Sequence, residues 1–189
     1  MRTGTAVVLA VAGTGAMAQG SQVLTYSDFG RPDIVLSAAS IRQADGADNV
    51  AYISQELDVS ETDLSQYPMG GHGNIADISQ TGSGNRAFLT QTGDLNRARI
   101  VQTGTDNLVN ATQTGVANSL DVTQTGISNS LLAIQTGKGN SITLSQEGGN
   151  VANLSEIGDN NTISVRQVIG GASVNINLVG SGYTVTITQ

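Results

Sequence analysis

The sequence predicts an all-β fold: a two-sheet β-solenoid, or cross-β stack, of 11-residue strand-turn units, two of which make each 22-residue coil. Three observations carry that reading. Gln-Thr-Gly occurs six times at strictly equal steps, starting at Gln80, Gln91, Gln102, Gln113, Gln124 and Gln135. An Asn stands three residues after each of those glycines, at 85, 96, 107, 118, 129 and 140. Between each Asn and the next Gln, two small apolar residues alternate with mostly polar ones. That is the period-2 pattern of a strand with one buried face.

Composition narrows the alternatives. The 189 residues include 24 Gly, 2 Pro, one His and neither Cys nor Trp. Without Cys there is no disulfide framework, thiolate metal site or thiol catalysis. The net charge of −7 argues against nucleic acid as a partner, since that would need a basic face. Six aromatic residues, four Tyr and two Phe, fill a conventional core poorly, because large rings supply much of the buried area. A polar, Gly-rich, nearly Pro-free chain points instead to repeats.

In chain order, residues 1–18 read as a secretory signal peptide. Arg2 gives a positive start, Ala6 to Ala12 is the apolar run, and Ala16-Met17-Ala18 is a small-x-small cleavage site. The run is far shorter than the roughly 20 residues needed to span a bilayer, so no membrane insertion is expected. Residues 19–68 form an acidic N-terminal leader with weak repeat character. It holds eight of the 15 acidic groups and both prolines, Pro32 and Pro68. It reads as a solvated segment open to recognition during export. Ser37–Gln43 and Asn49–Gln55 are faint copies of the repeat.

Residues 69–189 form the repeat domain, with the unit Asn-x-Φ-x-Φ-x-Gln-Thr-Gly-x-x, where Φ is small and apolar. Backwards, Gly71 and Asn74 lead into Gln80. Forwards, Gln146-Glu147-Gly148 continues the series, and the turn to Asn150 is one residue short. Glu156 then takes a Gln position, and Gly158 and Asn161 restore the spacing to Gln167. Gln189 lies two units further on; between them Ala172, Leu178 and Tyr183 replace polar markers, while Gly180 keeps its place. This makes eleven strand-like segments, and all of their Φ residues, from Ala76/Ile78 to Val185/Ile187, are Ala, Val, Ile or Leu.

Residues of equal parity share a face of a strand, so Asn, both Φ residues and Gln all point inward. Each Gln-x-Gly-x-x link reads as a tight turn in which glycine can adopt positive φ. The turn glycines are Gly71, Gly82, Gly93, Gly104, Gly115, Gly126, Gly137, Gly148, Gly158 and Gly180. Inward amides need partners, and an amide carries both donor and acceptor. Stacking copies above one another therefore predicts an assembly ladder. Asn74, Asn96, Asn118, Asn140 and Asn161 fall in one column, with Asn85, Asn107, Asn129 and Asn150 in the other. The Gln residues do likewise: Gln80, Gln102, Gln124, Gln146, Gln167 and Gln189, and separately Gln91, Gln113 and Gln135.

Outward positions follow the same geometry. Asp77, Arg99 and Asp121 share a slot in successive coils, which would stack opposite charges about 4.8 Å apart. The other sheet would carry Phe88, Leu108, Leu132, Ile134 and Val151 outward, either as scattered surface residues or as a lateral contact between filaments. The strand ending at Gln189 has no proline or Lys-rich stretch to blunt its edge, so it reads as a template for another chain.

No catalytic, cofactor or metal site is expected. His72 sits in a Gly-rich turn and reads as an ordinary turn residue. No nucleophile elbow or phosphate loop occurs, so an enzyme is not expected and no cofactor is implied.

The pattern Gln-x-Gly-x-x-Asn, with five residues to the next Gln, resembles the curlin repeat of bacterial curli fibres. It covers about residues 69–189, with weaker copies from 37 to 55. The resemblance implies a secreted subunit, of major or nucleator type, that polymerises into the functional amyloid of biofilms and serves adhesion and surface colonisation. It implies as partners further copies of the chain, other curlin subunits, and an outer-membrane export channel and chaperone reached through the periplasm. The chain departs from the family pattern at Asn150, Glu156, Ala172, Leu178 and Tyr183, and its leader is longer than the family's export segment. The alternative is a monomeric β-solenoid adhesin or ice-binding protein, supported by the Thr row in the turns (Thr81, Thr92, Thr103, Thr114, Thr125, Thr136) and by outward Thr184, Thr186 and Thr188.

Proline at Leu120 would remove a ladder donor from a central strand. The Leu120→Pro chain is expected to give no sedimentable fibres where the parent does; normal fibre yield would show that this segment is not a strand.

Overall fold

In the computed structural model, residues 7–12, 22–25, 38–43, 49–56, 60–69 and 72–189 are described. Sixteen strands lie among them: β1 (Val7–Ala12), β2 (Gln22–Thr25), β3 (Ala38–Gln43), β4 (Val50–Glu56), β5 (Glu61–Tyr67), β6 (Ile75–Ser83), β7 (Arg86–Asp94), β8 (Arg97–Thr105), β9 (Leu108–Val116), β10 (Ser119–Ile127), β11 (Ser130–Lys138), β12 (Ser141–Glu147), β13 (Val151–Ile157), β14 (Thr162–Gln167), β15 (Ser173–Val179) and β16 (Thr184–Thr188). From β3 onward they alternate between two eight-stranded sheets, ordered β1-β4-β6-β8-β10-β12-β14-β16 and β15-β13-β11-β9-β7-β5-β3-β2. The chain is a β-solenoid of about six coils.

Every pairing from β3 and β4 onward is parallel, and from β6 to β11 each residue faces its homologue one coil away. Leu120 thus lies between Ala98 and Ile142, and Gln124 between Gln102 and Gln146. Parity explains why this register is stable: a slip of one residue would turn every aliphatic side chain outward. From β6 to β14 all the Φ residues are at most 2% exposed. They fill a single narrow core between the sheets. Towards the C-terminal end the seal loosens, and Leu178, Val185 and Ile187 are only partly buried.

The links differ from the expected tight turns. In β6 to β11 the strand runs on through Gln-Thr-Gly, so that Thr81, Gly82 and Ser83 still pair with Thr103, Gly104 and Thr105. Glycine makes this possible. Its φ here is between +99° and +126° in Gly82, Gly93, Gly104, Gly115, Gly126, Gly137, Gly158 and Gly180, so the backbone rounds the corner without leaving the ladder. A Cβ on Gly104 would be driven into the carbonyl oxygen of Gly126 above it. From Asn85 to Asn161 the corner closes at the residue just before each column Asn, which is left-handed even where it is not glycine: Leu95, Asp106, Ala117, Ser128 and Asn160 have φ of 56° to 60°. In the shortened turn Gly148 and Gly149 take φ of 77° and 66°.

Regular coils also start earlier than residue 69. β5 pairs with β7, buries Leu64 and aligns Gln66 with Gln91, while β4 buries Ala51 and Ile53. The step from Gln66 to Gln80 is longer than one unit, because the turn around 67–73 holds three extra residues that hide the frame. β1 derives from the apolar run of the expected signal peptide and pairs antiparallel with β4. Cleavage after Ala18 would leave β4 at that edge. The rest of the signal peptide, leader residues 19–21, 26–37, 44–48 and 57–59, and Gly71 lie outside the described residues.

A left-handed non-glycine residue costs about 1–2 kcal/mol, against about 0.5–1 kcal/mol of extra chain entropy for glycine. Leu95 is 54% exposed and gives up little burial. Leu95→Gly is therefore expected to stabilise the soluble chain by up to about 1 kcal/mol in urea unfolding, and Gly104→Ala to destabilise it by about 1–3 kcal/mol. The reverse order would refute this account of the corner.

Candidate functional site

The inward amides form four columns along the stack. In the asparagine columns the backbone N–H of each Asn donates to the side-chain Oδ1 of the Asn one coil before, at 2.8 to 3.2 Å from Asn74 to Asn161. The first column runs Asn49, Asn74, Asn96, Asn118, Asn140, Asn161, and the second runs Asn85, Asn107, Asn129, Asn150. The side-chain Nδ2 adds bonds to the same oxygen, as from Asn96 to Asn74 at 3.0 Å. It also donates to the carbonyl of the turn glycine in the coil that follows, as from Asn96 to Gly115 at 3.0 Å. Asn74, Asn85, Asn96, Asn107, Asn118, Asn140 and Asn161 clamp the corner of the following coil in this way.

The glutamines do a different job. Along one sheet Nε2 donates to the next Oε1 from Gln55 through Gln80, Gln102, Gln124 and Gln146 to Gln167, at 2.8 to 2.9 Å, and on to Gln189 at 3.3 Å. Along the other, the series is Gln66, Gln91, Gln113, Gln135 and then Glu156. The second Nε2 hydrogen crosses the core. Gln113 donates to the Arg97 carbonyl, Gln124 to that of Leu108, and Gln135 to that of Ser119, at 2.9 to 3.0 Å. Glutamine thus couples coil to coil and sheet to sheet at once.

These bonds fix how each amide is turned. A carbonyl partner orients each column Gln from Gln66 to Gln167, and a backbone N–H orients each column Asn from Asn49 to Asn161. As a result the Gln columns donate towards the C-terminal end, and the Asn columns towards the N-terminal end.

The structure brings together all eighteen amides expected from the sequence and adds Asn49, Gln55 and Gln66. Gln66 escaped notice because of the three extra residues before Gln80. Counting back one unit from Gln66 to Gln55, and from Leu64 to Ile53, would have revealed it. The outgoing coil is thinner. Ala172 and Tyr183 keep only the backbone half of the Asn bond, donating to Oδ1 of Asn150 and Asn161.

Glu156 departs most. It is fully buried, accepts from Gln135 at 2.9 Å, and its Oε1 has no hydrogen-bond partner. Burial pushes its carboxyl up to about 7, against weaker downward pulls from the Gln135 amide and the Ile163 backbone.

Outside the core, Arg99 reaches Asp121 at 3.3 Å with both side chains about half exposed; such a pair adds at most about 1 kcal/mol. Among the described residues no cluster of three His, Asp or Glu side chains is placed to hold a metal.

The curlin associated repeat matches residues 60–93, 88–115 and 115–148. No curated protein and no solved structure matches the chain.

Removing one ladder amide orphans its neighbours above and below, at about 1–3 kcal/mol for each buried group. Asn96→Ala and Gln113→Ala are each expected to cost at least about 2 kcal/mol in urea unfolding, and outward Ser141→Ala less than about 0.5 kcal/mol. Equal losses would contradict the ladder.

Proposed function

We propose, from the premise that the chain is a curlin-repeat structural subunit carrying its family's repeat at residues 60–148, that it polymerises head to tail into extracellular curli-like amyloid fibres. On this reading the fibres serve biofilm matrix, adhesion and surface colonisation. The subunit would be exported through the periplasm by an outer-membrane channel and chaperone, and would assemble with copies of itself and other curlin subunits.

The observation that carries the proposal is the self-complementarity of the columns. Every coil from β6 to β11 offers Gln donors and Asn acceptors on its C-terminal side and Gln acceptors and Asn donors on its N-terminal side, in one register. A coil of another copy can therefore stack as the chain's own coils do. Head-to-tail stacking continues each column as it runs within the chain, Gln donor to Gln acceptor and Asn donor to Asn acceptor. Both prolines precede β6 and the single Lys lies at the end of β11, so the strands carry few of the devices that usually discourage edge pairing.

One observation favours a solenoid acting as a monomer. The outward positions of β12, β14 and β16 are Ser or Thr except Glu147 and Arg166, giving a hydroxyl face across three adjacent strands. Such a face would suit an adhesin or an ice-binding protein.

X-ray diffraction from aligned, sedimented material of the chain lacking residues 1–18 separates the two. A meridional reflection near ~4.8 Å with an equatorial one near ~10 Å is expected. A chain that stays monomeric and soluble after prolonged incubation would overturn the fibre reading in favour of the hydroxyl-faced monomer.

A further inference from the structure

The glutamine column that begins at Gln66 ends in an acid followed by an aliphatic residue, Glu156 and then Leu178. Its chemistry can be read from the coil before. Gln135 spends one Nε2 hydrogen on Glu156 and the other on the Ser119 carbonyl, at 2.9 Å each. Ser141 is the register partner of Ser119 one coil on. The register therefore places the Ser141 carbonyl opposite Glu156, where a glutamine would have put its nitrogen. Glu156 puts an oxygen there, the one with no hydrogen-bond partner.

Counting hydrogens identifies the form that fits. A glutamine at 156 would have two N–H groups, one for Ser141 and one facing Leu178, which can accept nothing. A neutral carboxylic acid has one O–H for the Ser141 carbonyl and one C=O to accept from Gln135. An ionised carboxylate would instead face that carbonyl with a lone pair, in a fully buried position. No cation offsets it. The inward side chains of β11, β12, β14 and β15 are Gln or aliphatic, apart from Gly137, while the charged side chains of these strands, Lys138, Glu147 and Arg166, are exposed.

We propose that Glu156 is a protonation switch in the stack: its neutral acid closes the glutamine column onto the Ser141 carbonyl, and its ionisation loosens the last coils, β13 to β16, from those before. The direction of the pH effect follows from the raised carboxyl. An acid whose folded value lies above its ordinary 4.5, here about 7, contributes stability that is fully present below pH 4.5 and lost as pH rises through about 7. Across that window the ratio of closed to open coils falls about tenfold per pH unit. The consequence for fibre growth, faster in mild acid, rests on the polymerisation reading; the effect on the coils does not.

The test is hydrogen exchange on the soluble chain at pH 5.5 and 8, corrected for intrinsic rates, with a 13C titration of the Glu carboxyls. Protection of β13 to β16 relative to β7 to β10 is expected to fall at least tenfold at the higher pH, with the Glu156 carboxyl titrating near 7. In Glu156→Gln that relative protection should not change with pH. If this variant opens its last coils because of the N–H facing Leu178, the double variant Glu156→Gln, Leu178→Gln should restore them, again without pH dependence. A wild-type profile identical to that of Glu156→Gln, or a Glu156 carboxyl titrating near 4.5, would overturn the proposal. Both readouts stand whether or not fibres form.

Discussion

Buried side-chain amides are the constraint on which the rest of the molecule depends. An aliphatic core between two flat sheets sets no particular register along the stack, because Ala, Val, Ile and Leu tolerate one another in many alignments. An amide sealed from water does not. It must meet a donor and an acceptor at fixed distance, and the only groups on offer at the right height are its own copies one coil away. Asn and Gln therefore convert a permissive hydrophobic stack into one with a single alignment. The 11-residue step keeps the copies at one height, and its two departures, before Gln80 and before Asn150, leave the amides paired.

The two amides divide the task by length. Asn, the shorter, sits at the strand entrance and holds the corner, where its oxygen receives the backbone N–H of the next coil. Gln, one methylene longer, sits near the strand exit and can reach a carbonyl on the opposite sheet. That cross-core bond ties the two sheets together along the strands, as the Asn bonds do at the corners. The glycine after each Gln lets the chain turn while its backbone remains hydrogen-bonded to the coils on either side. Exchanging the two amides would shorten the reach where it is needed and crowd the corner where it is not.

Irregularity concentrates at the two ends of the stack and has a common form. At the N-terminal side three extra residues separate Gln66 from Gln80, and Ser60 stands where an Asn would be. At the C-terminal side one residue is missing before Asn150, Glu156 replaces Gln, and Ala172, Leu178 and Tyr183 replace amides. In each case the backbone ladder continues while side-chain bonds thin out. The central coils are therefore the most strongly specified part of the molecule, and the outer ones are where charge, here a single buried carboxyl, can act on the fold.

Much of this was legible in the residues. Strand parity gave the inward face, the two-unit coil gave the two columns of each amide, and the Φ positions gave the core, all because these properties repeat and depend only on local backbone geometry. The corner was not legible. By itself Gln-x-Gly-x-x reads as a tight turn, but whether Thr and Gly stay in the ladder depends on the coils above and below. Gln66 was missed because an insertion shifts the count without disturbing the register in space. The sense of the columns, the cross-core reach of Gln and the orphan oxygen of Glu156 are likewise properties of neighbours stacked from distant parts of the chain. The sequence by itself determined what repeats and which face is buried; only the tertiary stack decided where each amide's two hydrogens go, because hydrogen-bond partners are chosen by proximity in space and not by order along the chain.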